Sequence, residues 1–92
     1  MGLEFRQGYK KVGEIMSFDE FKDEILCGRE IEFSCRNESF FLGNGKNGVY
    51  LSNVSKNNVQ YFSNHTELVE HAKIFNLTLV EIWEEIVIEY IL

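Results

Sequence analysis

A chain of 92 residues can build one hydrophobic core and is too short for two independent ones. Its apolar share of 45%, with eight Phe, four Tyr and one Trp, excludes a disordered chain, which lacks the apolar surface to offset ordering entropy. Nine basic against fifteen acidic side chains give a net charge of −6, which opposes approach to nucleic acid phosphates or anionic lipid, so neither is expected as a direct partner.

Residues 1–15 carry charges at Glu4, Arg6, Lys10, Lys11 and Glu14, have glycines at Gly2, Gly8 and Gly13, and show neither a helical nor a strand period. They read as a poorly ordered N-terminal extension, with the domain proper spanning 16–92 from Met16 onward. No apolar run is long enough for a secretory signal or for the roughly 20 residues that span a bilayer, so a cytoplasmic location is expected.

Ser17 followed by Glu20 forms a capping box that opens a first helix. At 100° per residue Phe18, Phe21, Lys22 and Ile25 share one arc, with Leu26 at its margin, and Asp19, Glu20, Asp23 and Glu24 share the opposite arc. Gly28 is placed to end that helix in the left-handed conformation. The period then changes to two: Ile31, Phe33 and Cys35 alternate with Glu30, Glu32 and Ser34, as in a half-buried strand. Strands follow at Ser39 to Leu42, Val49 to Val54 and Val59 to Phe62. Polar turns separate them, the second holding two Asn-Gly pairs between Gly43 and Gly48. Asn64 or Ser63 caps a second helix with Leu68, Ala72 and Phe75 on one side, ending near Asn76. Thr78 and Glu81 form another capping box, and Leu79, Ile82, Trp83 and Ile86 have the spacing of a buried helical stripe. From Val87 to Leu92 the chain is β-branched and apolar, as suits a terminal strand docked in the sheet. The expected fold class is α+β, a single domain with an antiparallel sheet of about four to five short strands and two to three helices, in the order α-β-β-β-β-α-α-β.

The chemistry-bearing residues are few. Gly43, Gly45 and Gly48 match the spacing of a dinucleotide-binding loop, but that loop must open a helix and here a strand follows. His65 and His71 stand 240° apart around a helix and cannot share a metal along one face. Cys27 and Cys35 lack the CxxC spacing of a zinc or redox site and are expected to be reduced, Cys27 near the acidic arc and Cys35 in the core. Four Asn-X-Ser/Thr triplets, at Asn37, Asn53, Asn64 and Asn76, have no export signal to give them meaning. No metal or cofactor is expected. Trp83 and Tyr90 fit core periods.

The segments Phe18-Asp19-Glu20-Phe21-Lys22-Asp23-Glu24-Ile25 through Phe33, and Glu67-Leu68 through Trp83, resemble a group of small acidic proteins of low-GC Gram-positive bacteria and their mobile elements. The likeness covers residues 16–92, rests on structural motifs and carries over no functional residue. The leading expectation is a small acidic protein-binding module, an immunity-type inhibitor or regulator of a partner protein, possible as a homo-oligomer. Its contact residues would be the helix-face carboxylates Asp19, Glu20, Asp23, Glu24, Glu81, Glu84 and Glu85, acting on a basic partner. The alternatives are a phage-type inhibitor that imitates nucleic acid charge, and a small enzyme using His71 or His65 as acid or base.

Overall fold

The computed structural model describes residues 16–92; the expected extension over 1–15 lies outside the described residues. Helix α1 (Phe18–Leu26) opens on the expected capping box: Ser17 Oγ accepts from the Glu20 N–H at 3.1 Å, and Glu20 Oε1 accepts from the Ser17 N–H at 3.0 Å. It closes with Gly28 at φ 87°, where Gly28 N–H reaches Ile25 O and Arg29 N–H reaches Glu24 O. That pair of bonds is the Schellman arrangement, and the Arg29 guanidinium then returns to the Glu24 carboxylate at 2.8 Å.

Strands β1 (Ile31–Cys35), β2 (Glu38–Gly45), β3 (Gly48–Asn53) and β4 (Asn58–Phe62) form the expected antiparallel meander. After α2 (His65–His71) comes a small hairpin of β5 (Lys73–Ile74) and β6 (Leu77–Thr78). Helix α3 (Leu79–Ile82) follows, extended by a 3-10 turn over Trp83–Glu85, and then β7 (Ile86–Ile91). Strand β7 pairs with β1, which gives the sheet order β4-β3-β2-β1-β7. The expected element order holds, and the terminal strand is docked in the sheet as its composition predicts.

One side of the sheet is closed. The inward positions Ile31, Phe33 and Cys35 of β1, Phe40 and Leu42 of β2, and Val49 and Leu51 of β3 share a single core with Phe21 and Ile25 of α1, Leu68 and Val69 of α2, and Leu79 and Ile82 of α3. Phe21 meets Phe33 edge-on at 6.2 Å and Trp83 at 4.8 Å between ring centroids. Trp83 packs half-buried against this core, consistent with its helical period.

The β5–β6 hairpin is the element that periodicity misses. The second helix was expected to run to Asn76, but it stops at His71 because Ala72 turns extended. Gln60 holds that extended segment to β4, donating to Lys73 O at 2.7 Å and accepting from the Lys73 N–H at 3.0 Å. Phe75 and Asn76, at φ 52° and 69°, then make a mirror-image two-residue turn, so Phe75 leaves the expected stripe and is 39% exposed.

Candidate binding surfaces

The seven helix carboxylates are set out along α1, α3 and the 3-10 turn, and four of them are engaged locally. Glu20 and Glu81 close their own capping boxes, and hydrogen bonding to Thr78 holds the Glu81 carboxyl below the usual glutamate range. Glu24 pairs with Arg29. Glu85 takes a two-pronged grip from Arg36, Nε to Oε1 at 2.7 Å and Nη2 to Oε2 at 2.9 Å, which lowers the Glu85 pKa and raises that of Arg36. Asp19, Asp23 and Glu84 are exposed and make no such contact among the described residues, so the helix-side charge is thinner in directional contacts than the sequence suggests.

Arg36 also lies over the Phe75 ring at 4.9 Å. Both residues occupy the first position of a mirror-image turn, Arg36 at φ 50° and Phe75 at φ 52°, a conformation that disfavours bulky side chains by about 1 kcal/mol or more each. The stacked pair, the Glu85 grip and the edge contact of Phe75 with Phe40 at 6.3 Å tie the β1–β2 turn, the small hairpin and the 3-10 turn into one corner.

The histidines lie apart. His65 is half-buried and bonded to Asn44 at 2.8 Å, while the Asn44 amide donates to Gly28 O. Asn44 Oδ1 can only accept, so Nε2 of His65 carries the proton in that contact. His71 stands exposed at the end of α2, 4.0 Å from Glu67 and 3.9 Å from Glu70. Cys27 is exposed and Cys35 buried, and burial pushes the Cys35 thiol pKa up. Among the described residues no group of His, Cys, Asp and Glu is arranged to hold a metal ion, and no helix is long and apolar enough to cross a membrane.

The described residues line two open grooves. The first, about 550 Å³, runs between the three helices, with Phe18, Leu26, Val69 and Val80 as its apolar wall and Asp19, Lys22 and Glu70 on its rim. The second, about 230 Å³, lies on the side of the sheet away from the helices, and its lining includes Glu32, Phe41, Val54 and Glu89. Neither is lined by a histidine.

That second side of the sheet carries the more distinctive surface. Strand alternation sends Phe41, Tyr50 and Tyr61 outward, with Tyr50 directly opposite Tyr61 across β3 and β4. Their rings form a chain, Phe41 to Tyr50 at 6.3 Å and Tyr50 to Tyr61 at 6.2 Å. Gly43 makes the arrangement possible: a Cβ there would stand 2.5 Å from the Tyr50 ring, so only glycine lets that ring lie across β2. Tyr61, at the β4 end, is 77% exposed, and Val59 beside it is exposed as well. On β1, Glu32 faces Phe41 as its cross-strand partner. A bulge in β7 opposite Glu32 and Phe33 inserts Glu89, whose carboxylate accepts from Ser34 Oγ at 3.0 Å. The bulge thus places a second carboxylate on the aromatic side.

The residues of this face were visible in the sequence as the outward phase of each strand. They escape a search for core positions because aromatic residues there carry no period of their own. The usable signal is that apolar residues occupy both phases of β2, β3 and β4. Comparison of the chain with protein-family models, curated proteins and solved structures finds no match.

Proposed function

We propose that this chain is a protein-binding module that inhibits or regulates a partner protein, an immunity-type role, and that it docks through the aromatic side of its sheet. The observation that carries the reading is the contiguous row Phe41–Tyr50–Tyr61 on the side of the sheet away from the three helices, where Phe41 and Tyr50 are half-buried and Tyr61 is exposed. Tyrosines of this kind supply large contact area with little side-chain entropy to lose, and they are enriched where proteins meet. The charge-mimicking reading asks instead for a row of free carboxylates, and four of the seven helix carboxylates are engaged locally. The enzymatic reading asks for a histidine in a concavity, and both grooves described above lack one.

The test is affinity capture from the source cells with the wild-type protein and with a Tyr50→Ser/Tyr61→Ser variant, followed by reconstitution of any captured complex from pure components. The expected result is one protein retained by the wild type, lost with the variant, and bound in stoichiometric complex when purified. A complex that forms equally well with the variant would move the docking surface elsewhere, and the absence of any reconstituted complex would remove the binding reading.

A further inference from the structure

The described strand positions on the aromatic side of the sheet carry charge of one sign. Outward strand positions on this side are Glu32 and Ser34 of β1, Ser39, Phe41 and Gly43 of β2, Tyr50 and Ser52 of β3, Val59 and Tyr61 of β4, and Val87, Glu89 and Tyr90 of β7; Tyr90, whose strand period predicts a core position, stands opposite Glu32 and is 47% exposed because the bulge shifts the phase of β7. Every ionisable group of unlike sign is missing from that set: its charged members are two carboxylates, and no Lys or Arg stands among these described positions. Both carboxylates line the 230 Å³ groove, together with Ser39, Phe41, Val54 and parts of Phe33 and Phe40.

Resting on the protein-binding reading, we infer that this face docks the basic surface of a partner protein. Arginine side chains of that surface enter the groove between Glu32, Glu89 and Phe41, and the flanking apolar surface packs on Tyr50 and Tyr61. The chemistry is complementary at each point. A guanidinium can bond a carboxylate in two prongs and lie flat on an aromatic ring at once, and its methylene stem packs on Val54. The same charges argue against two other occupants. A second copy of the chain would bring Glu32 and Glu89 against an identical anionic face, and a single-stranded nucleic acid stacking on the tyrosines would need cations along its backbone track.

The probe is a short peptide, Ac-Arg-Leu-Arg-Leu-Arg-amide, titrated into isotopically labelled protein and followed by amide chemical shifts, with Ac-Glu-Leu-Glu-Leu-Glu-amide as the charge-reversed control. The arginine peptide is expected to shift the amides of Glu32, Phe41, Tyr50, Tyr61 and Glu89, and the glutamate peptide to leave them in place. Glu32→Gln with Glu89→Gln should weaken binding roughly threefold to tenfold, the size of two exposed charge pairs. Shifts centred on Asp19, Asp23 and Glu84, equal response to the two peptides, or no shift at millimolar peptide would each overturn the inference. So would a homodimer in solution that Tyr61→Glu dissolves, since it would give the face to a second copy. A partner captured and reconstituted as above, whose contacts avoid this face, would overturn the inference and leave the protein-binding reading standing.

Discussion

The two sides of the sheet are built from the same strands by the same alternation, yet they differ in what covers them. On the inward side Phe33, Leu42 and Leu51 meet α1, α2 and α3 and are sealed from solvent. On the outward side Phe41, Tyr50 and Tyr61 form a chain of ring contacts that none of the three helices covers, with Tyr50 lying over Gly43. The difference teaches that aromatic content is not a measure of core. Among the described residues, the Phe41–Tyr50 and Tyr50–Tyr61 contacts lie on the side of the sheet away from the helices.

Substitutions on the two sides should separate this comparison most sharply. Phe33→Ala removes a fully buried ring and is expected to lower unfolding free energy by about 3–5 kcal/mol, which would unfold much of a domain of ordinary stability. Tyr61→Ala should stay within about 0.5 kcal/mol, as for an exposed position. Denaturant melts of the two variants test the pair, and equal losses would mean that the outward row is part of the stabilising core.

Gly43→Ala sharpens the same comparison at intermediate size. Its methyl group would collide with the end of the Tyr50 ring, a side chain on the open side that can swing away. A loss of about 1 kcal/mol is expected, with displaced Tyr50 ring resonances and an undisturbed core spectrum. A melt several times more damaged than that would show that Tyr50 cannot move and that the platform is rigidly built in.

Thiol labelling reads inside against outside directly. In the native protein Cys27 should react with a disulfide reagent, whereas Cys35, buried on the inward phase of β1 with its thiol pKa raised by desolvation, should react only on unfolding. Reaction of both thiols at one rate would show that the inward side opens readily.

The smallest effect is the acid response of the Arg36 corner. Glu85 has its pKa depressed in the fold by the Arg36 hydrogen bond, so its contribution is present above the ordinary glutamate range and is lost as pH falls through the depressed value. Stability should therefore slope downward below about pH 4.5, and Arg36→Ala should flatten part of that slope. An unchanged slope in the variant would show that other carboxylates set the acid limit.

Much of this architecture was legible in the residues. The capping boxes at Ser17 and Thr78, the glycine stop at Gly28 and the alternation through Ile31, Phe33 and Cys35 are local rules, and each appears where its spacing places it. The hairpin at Phe75–Asn76 was not legible, because a phenylalanine at positive φ contradicts local preference and is held there by the Gln60 clamp and by its stack with Arg36, both distant in sequence. The outward platform was hidden for a different reason: Gly43 and Tyr50 become neighbours only once β2 and β3 are in register. The helix carboxylates were legible as residues, but their engagement with Arg29 and Arg36 depends on turns that bring those cations back.

The most direct test of the docking surface is the affinity of a reconstituted partner for two variants of equal fold. One replaces Tyr50 and Tyr61 by Ser on the sheet, and the other replaces Asp19, Asp23 and Glu84 by Lys on the helix side. The sheet variant is predicted to lose affinity by roughly a hundredfold or more, as for removal of two aromatic anchors. The helix variant should bind nearly as the parent does, with a slower association that salt no longer modulates. A helix variant that loses binding while the sheet variant keeps it would contradict the account and return the contact surface to the acidic helices.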